Sequence, residues 1–209
     1  MRFVASVPDI SFIPAALASG ADVIEVRLDL TGPVSPEEVN ATFRDLTVPL
    51  IFTVRSAAEG GMFAGGPEEW WDMVRPCLPY ATFIDVEGSF RSFAPVLRRE
   101  KKTIIASFHT PSMPDPGSLE ALRRDLAGYG DIPKIVVGPR SEEDVLSLLS
   151  FTLHAEKPII TSIMGSRFSF IRLMLPFFGS SFIYCHAGSP AAEGQIHLSR
   201  AREIMELFR

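Results

Sequence analysis

The sequence predicts an α/β protein built as a single-domain (β/α)8 barrel over residues 1–209. Three observations lead to that class. Short runs rich in β-branched residues recur eight times at fairly even spacing. Between them lie stretches with apolar residues at i, i+3 and i+4, so strand and helix alternate throughout. Strict alternation means a parallel sheet covered by helices, and 209 residues lies near the small end for a TIM barrel. A doubly wound open sheet is the rival topology. No Gly-x-Gly-x-x-Gly follows the first strand, which weakens a dinucleotide-binding version of it.

In chain order, the predicted strands are 3–7, 23–30, 50–55, 82–87, 103–109, 133–138, 158–164 and 181–185. The predicted helices are 13–18, 36–44, 68–77, 90–99, 119–126, 142–154, 169–178 and 196–208. Two helix starts carry clear signals. Ser35-Pro36 precedes Glu37 and Glu38, and Ser141 precedes Glu142 and Glu143; a hydroxyl can cap the first free amides, and proline suits the first turn. No linker, low-complexity tract or domain boundary interrupts the pattern.

Composition narrows the function classes. The chain is 46% hydrophobic and 22% charged, enough to bury a core. Its net charge of -5 argues against a nucleic-acid partner, although local arginines still allow an anionic substrate. Cys77 and Cys185 are the only cysteines and form no CxxC, so neither a zinc site nor a disulfide framework is expected. No apolar run approaches a membrane span. The chain enters its first strand directly after Met1, leaving no room for a signal peptide. A cytoplasmic protein with no metal and no organic cofactor is the expectation.

Chemistry is foreshadowed where strands carry polar residues on a face that should be dry. In Val23-Ile24-Glu25-Val26-Arg27-Leu28-Asp29-Leu30, alternation sends Ile24, Val26, Leu28 and Leu30 under the helices and Glu25, Arg27 and Asp29 into the barrel. Interior charges must pair with each other or with a ligand; a solvent-facing edge strand is the bland alternative. Further strands end in Thr53-Val54-Arg55 with Glu59 beyond, in Asp85-Val86-Glu87, and in Ser107-Phe108-His109. Barrel active sites are built at these C-terminal strand ends.

Lys101, Lys102 and Lys157 precede strands, on the opposite face, whereas Lys134 is embedded in Ile132-Pro133-Lys134-Ile135-Val136-Val137. Burial disfavours a charged ammonium, and a neutral amine can attack a carbonyl. An interior carboxylate such as Glu25 would instead neutralise the lysine without chemistry. His109 ends the adjacent strand and is a natural proton carrier. His186 is a weaker rival, while His154 and His197 look helical and peripheral.

Together these pieces resemble the type I 3-dehydroquinate dehydratase family over essentially the whole chain. Glu25-Val26-Arg27-Leu28-Asp29 is similar to its Glu-x-Arg-x-Asp signature, and Arg55-Ser56-Ala57-Ala58-Glu59-Gly60-Gly61 to its Arg-(x)3-Glu-Gly-Gly segment. Ile105-Ala106-Ser107-Phe108-His109 resembles the segment ending in the catalytic histidine, and Asp131-Ile132-Pro133-Lys134-Ile135 the one with the imine-forming lysine. Arg172, Phe178-Gly179-Ser180 and Gly194-Gln195-Ile196 resemble the carboxylate-binding and lid region. The resemblance implies dehydration of 3-dehydroquinate through a Lys134 imine, with His109 as base and acid and Glu59 orienting it. It implies Arg172 for the substrate carboxylate, and Glu25, Arg27, Arg55 and Gln195 for hydroxyls or for orienting the catalytic pair. It also suggests a homodimer, with Phe168, Phe170, Phe177 and Phe178 as interface or core.

Departures from the family pattern concern the lid and the segment after strand seven. The lid's usual Ser/Thr-Ala-Pro-Gly-Gln reads Ala191-Ala192-Glu193-Gly194-Gln195 here. Ser189 is the substitute hydroxyl expected from two residues earlier, and Glu193 adds a negative charge near an anionic substrate. After strand seven, Ile163-Met164-Gly165 stands for Ser-Met-Gly, and Phe168 and Ile171 replace a glycine and the serine before Arg172. A class I aldolase-like barrel and a non-catalytic barrel that binds a small acid are the alternative readings.

Overall fold

The computed structural model describes residues 1–32 and 34–208. Eight parallel strands form its sheet: β1 (Arg2–Val7), β2 (Val23–Arg27), β3 (Leu50–Thr53), β4 (Phe83–Glu87), β5 (Thr103–Thr110), β6 (Ile132–Val137), β7 (Ile160–Ile163) and β8 (Phe182–Cys185). Helices α1 (Ile13–Ala18), α2 (Leu28–Thr31), α3 (Pro36–Phe43), α4 (Pro67–Val74), α5 (Ala94–Arg99), α6 (Pro116–Ala127), α7 (Glu142–His154), α8 (Ile171–Met174) and α9 (Leu198–Glu206) lie between and after them.

Neighbouring strands pair in chain order, and β8 returns to β1. The remaining seam, β7 to β8, is held by one bridge, Ile159↔Ser180. There a side chain does the work of a ladder. Ser180 Oγ accepts the Thr161 N–H at 3.0 Å and donates to the Thr161 carbonyl at 3.2 Å. The barrel is therefore nearly closed.

Two cores flank the sheet. The outer one packs strands under helices and includes Ile24, Val26, Leu28, Phe52, Trp70, Val86 and Ile135, all at most 2% exposed. The inner one is the barrel floor, with Val4, Val23, Ile51, Phe83, Ile105, Ile160, Phe182 and Tyr184, and Ile132 beside them. Alternation makes this division. Residues at one parity pack outward; the others fill the barrel.

Helix starts follow local chemistry. Ser35 Oγ accepts the Glu38 N–H while Glu38 returns a carboxylate to the Ser35 N–H, and Ser141 with Asp144 repeats the box. The helix expected over 119–126 starts earlier, at Pro116, because Asp115 accepts the Ser118 N–H at 3.0 Å and Pro116 opens the first turn. The segment 90–99 is a 3-10 stretch (Gly88–Phe93) and then α5, and 169–178 divides into α8 and a 3-10 turn (Leu175–Phe178).

The second strand differs from expectation. It stops at Arg27, and α2 follows at once. Asp29 turns back to hold Arg27, accepting from Nε at 2.8 Å and Nη2 at 2.7 Å, and also accepts the Met62 N–H at 3.2 Å. The chain curls there, so Leu30 is 37% exposed rather than packed under a helix.

Candidate active site

Climbing the barrel interior, every strand but one changes character in the same direction. Val4 gives way to Ser6, Val23 to Glu25 and Arg27, Ile51 to Thr53 and Arg55, and Phe83 to Asp85 and Glu87. Ile105 gives way to Ser107 and His109, Ile132 to Lys134, and Ile160 to Ser162; on β8, Phe182 is followed by Tyr184. The apolar floor faces the N-terminal ends and the polar layers face the C-terminal ends. These layers open into a cavity of about 270 Å³.

Charges in the lower polar layer are paired. Glu25 accepts from the Ser6 hydroxyl and from Thr53 Oγ1 at 2.8 Å. Asp85 accepts from Lys134 Nζ at 2.9 Å, Arg55 Nη2 at 2.8 Å and Ser107 Oγ at 2.6 Å. Burial alone would push the Asp85 carboxyl up, but Arg55 and Lys134 beside it hold it down at about 2. Arg55 also donates to Glu87 at 2.8 Å and Ser107 at 3.0 Å. Burial opposes its charge, yet Asp85, Glu87, Glu59 and Glu25 together raise its affinity for the proton.

Lys134 is 4% exposed and points inward, as parity predicts. Its main counter-ion is Asp85; Glu25, the carboxylate expected from sequence, lies at 3.8 Å. The bare amine expected from burial is thus opposed by two carboxylates. The face of Tyr184 lies beneath it, with Nζ 4.2 Å from the ring centroid.

His109 stands one step further up the neighbouring strand. Ser107 is level with Lys134, and His109 is level with Val136. Glu59 Oε2 meets His109 Nδ1 at 2.8 Å and accepts the His109 backbone N–H at 3.0 Å. Burial, the neighbouring Glu87 and then Asp85 push the Glu59 carboxyl up to about 8 against the pull of Arg55. Burial and the positive charges of Arg55, Lys134 and Arg27 push His109 well below its ordinary value. A proton added to this pair therefore resides on Glu59, and the imidazole stays neutral.

Arg172 closes the other side of the cavity. It is 7% exposed, and no carboxylate lies within ion-pair distance among the described residues. Its Nη1 donates to Ser162 Oγ at 3.3 Å, Nη2 donates to the Glu193 carbonyl at 3.0 Å, and Nε has no partner. Burial pulls its proton affinity down to about 10, which leaves it charged at neutral pH. The lid residues Ala191, Ala192, Glu193 and Gln195 also line the cavity. Arg27 Nη1 donates to the Ala191 carbonyl at 3.3 Å, and Gln195 Oε1 accepts the Ala191 N–H at 2.8 Å. The Glu193 carboxylate reaches outward to accept from Ser166 Oγ at 2.8 Å.

The structure brings Lys134, His109, Glu59, Glu25, Arg27, Arg55, Arg172 and Gln195 to one cavity. Ser189 is the exception. It is exposed and absent from the lining, where the lid presents the Ala191 and Glu193 carbonyls to Arg27 and Arg172 instead. His186 and His197 pack edge to face, 5.1 Å apart, outside the cavity lining, and His154 is exposed on α7. Asp85, Thr53 and Ser107 stand at the polar strand ends the sequence points to, without a role assigned there, while Ser6, Ser162 and Tyr184 carry no such signal. Strand parity places each of them inward, but their partners lie on other strands. Cys77 and Cys185 are free and buried. Among the described residues no cluster fit to hold a metal occurs, and no helix is long and apolar enough to cross a membrane.

Fold and site together define a (β/α)8 barrel with a buried lysine, an adjacent histidine and an unpaired arginine at its C-terminal face. Comparison with known proteins makes that class specific. The family model for type I 3-dehydroquinase matches residues 8–209. The 3-dehydroquinate dehydratase of Methanoregula boonei is 42% identical over 209 residues, covering 100% of both chains. That of Methanospirillum hungatei is 34% identical over 208 residues, covering 100% of this chain and 81% of the relative. The solved 3-dehydroquinate dehydratase of Aquifex aeolicus superposes with a TM-score of 0.86 at 28% identity, covering 100% of this chain and 99% of that one. This chain belongs to the type I 3-dehydroquinase family.

Proposed function

We propose that the protein dehydrates 3-dehydroquinate to 3-dehydroshikimate, the lyase step of the shikimate route to aromatic amino acids, through an imine on Lys134. The observation that carries this reading is the single cavity holding Lys134, the His109–Glu59 pair and Arg172 without a carboxylate partner. A guanidinium without a counter-ion is a receptor for a carboxylate, which it can grip with two charge-assisted bonds.

Lys134 Nζ, after passing a proton to His109, attacks the ketone carbon, and the carbonyl oxygen takes up an Nζ proton. His109 returns its proton to the carbinolamine hydroxyl, which leaves as water, and a protonated imine remains. That cation draws electrons from the adjacent C–H bond, and the neutral His109 takes the proton, leaving an enamine. The enamine pushes out the β-hydroxyl, which leaves as water with the proton His109 has just gained. Hydrolysis of the conjugated imine frees the product and the amine. One residue serves both proton transfers, which suits a syn elimination. Ionised Glu59 orients the imidazole by accepting from Nδ1–H, so that the far ring nitrogen is the base.

Glu25, Arg27 and Arg55 face the ring hydroxyls or hold the lysine and histidine in place. Gln195 caps the lid that closes over them. The lysine is itself the electron sink, so the proposed steps require neither metal nor organic cofactor. We place the enzyme in the cytoplasm. We propose a homodimer through the face around Phe170 and Phe177, which are 58% and 50% exposed, while Phe168 is buried core. Sedimentation of the purified protein reads the dimer directly. For the reaction, purified protein mixed with 3-dehydroquinate is expected to develop the ultraviolet absorbance of a conjugated enone acid. No absorbance with active control enzyme alongside refutes the reading.

A further inference from the structure

The ring of Tyr184 packs on the barrel floor beside Phe182, but its hydroxyl has no evident task there. Its side chain points inward from β8, it is 7% exposed, and its Oη is buried without a hydrogen-bond partner. Such a hydroxyl gains nothing over a hydrogen in the ligand-free fold. The ring, by contrast, has a definite neighbour, Lys134 Nζ at 4.2 Å from its centroid, and it lines the cavity. Burial, with the Glu25 and Asp85 carboxylates nearby, pushes the phenol well above its ordinary value, so the ring stays neutral. Its face therefore carries only the negative quadrupole of an aromatic.

We infer that Tyr184 is a further catalytic residue whose ring face carries the positive charge of the protonated imine on Lys134. This rests on the proposed imine chemistry. An ammonium offers three N–H donors, and a protonated imine offers one. Asp85, which holds Lys134 by hydrogen bonding, therefore loses part of its hold when the imine forms. A ring face needs no donor and attracts the charge in either state. It consequently favours the imine relative to a site built of carboxylates alone. Positive charge develops on nitrogen in two steps, loss of water from the carbinolamine and expulsion of the hydroxyl from the enamine, and the face stabilises both.

Fluorinated phenylalanines test this, because each fluorine weakens the face while barely changing its size. The quantity read is the fraction of protein trapped as a reduced adduct on Lys134 by a short borohydride pulse at saturating 3-dehydroquinate. Tyr184→Phe is expected to trap within about threefold of wild type, since the hydroxyl has no partner. Mono-, di- and trifluorophenylalanine at position 184 are expected to lower the trapped fraction stepwise, reaching about tenfold for the last. The first two carry the test should the third fail to fold. A flat series in an active protein overturns the role of the ring face, as does a tenfold loss in Tyr184→Phe, which would assign the task to the hydroxyl. Wild-type protein that forms neither adduct nor product overturns this inference and the proposed function together.

Discussion

Arg55 and Arg172 reach the same cavity and are buried alike, at 4% and 7% exposure, yet their surroundings are opposite. Arg55 donates to Asp85, Glu87 and Ser107 within 3.0 Å and approaches Glu59 at 3.4 Å. Arg172 meets only a serine hydroxyl and a lid carbonyl, and its Nε is idle. A buried charge is tolerable when its partners replace lost water. The first arginine satisfies that condition inside the protein, while the second satisfies it poorly. The contrast separates a cation that holds the barrel's acidic residues together from one that, on the proposed function, receives the substrate carboxylate.

Removing each arginine is the sharpest way to break the comparison. Arg55→Met leaves Asp85 and Glu87 without their main counter-charge, and urea denaturation is expected to show a loss of about 3–5 kcal/mol. A loss under about 1 kcal/mol would mean that the network is not structural. Arg172→Leu is expected to leave the denaturation midpoint unchanged or higher while kcat/KM falls by about 10²–10³-fold, the worth of two charge-assisted bonds. An Arg172 variant that unfolds readily but turns over normally would reverse the two roles.

The acid limb sharpens the structural half. Arg55 and Lys134 hold the Asp85 carboxyl at about 2 in the fold, below its ordinary 3.8. Its folded value is depressed, so its contribution is fully present above pH 3.8 and is lost as pH falls through about 2. The amount is about 2 kcal/mol. Stability measured from pH 5 downward is expected to fall less steeply in Asp85→Asn than in wild type. Equal slopes would remove Asp85 from the account.

The smallest effect belongs to the functional half. Glu59 loses its proton at about 8. With Glu59 protonated, the bond to His109 places hydrogen toward Nδ1 from the carboxyl and leaves the other nitrogen as a donor. Once Glu59 is ionised, the Nδ1–H form is favoured and the far nitrogen is free to act as base. The ratio kcat/KM is expected to rise about tenfold from pH 7 to pH 9, and the rise is expected to vanish in Glu59→Gln. An unchanged limb in that variant would place its origin elsewhere.

How much of this was readable beforehand depends on the range of the interaction. The alternation in Glu25-Val26-Arg27 identified an inward polar face, and the embedded Lys134 was correctly turned inward, because a strand's period is local. The same rule failed at Asp29 and Leu30, where a side-chain bond to Arg27 bends the chain out of the strand. An interior carboxylate such as Glu25 is the partner the sequence offers Lys134, and Glu25 does pair with it at 3.8 Å, with Asp85 nearer at 2.9 Å. That Asp85 lies nearer depends on how β4 and β6 sit on either side of β5, which the pattern along one strand does not encode. The burial of Arg172 goes with contacts to Ser162 and the Glu193 carbonyl, both distant in sequence from α8's own pattern. Ser189 was chosen for its hydroxyl alone, without the turn that sends it to solvent.

The central claim is that the buried amine of this barrel becomes bonded to its substrate. Borohydride added during turnover of 3-dehydroquinate, followed by digestion and mass analysis, reads this most directly. The account predicts a reduced adduct on the peptide containing Lys134, with matching loss of activity. Active enzyme that yields product under borohydride with Lys134 unmodified would contradict it.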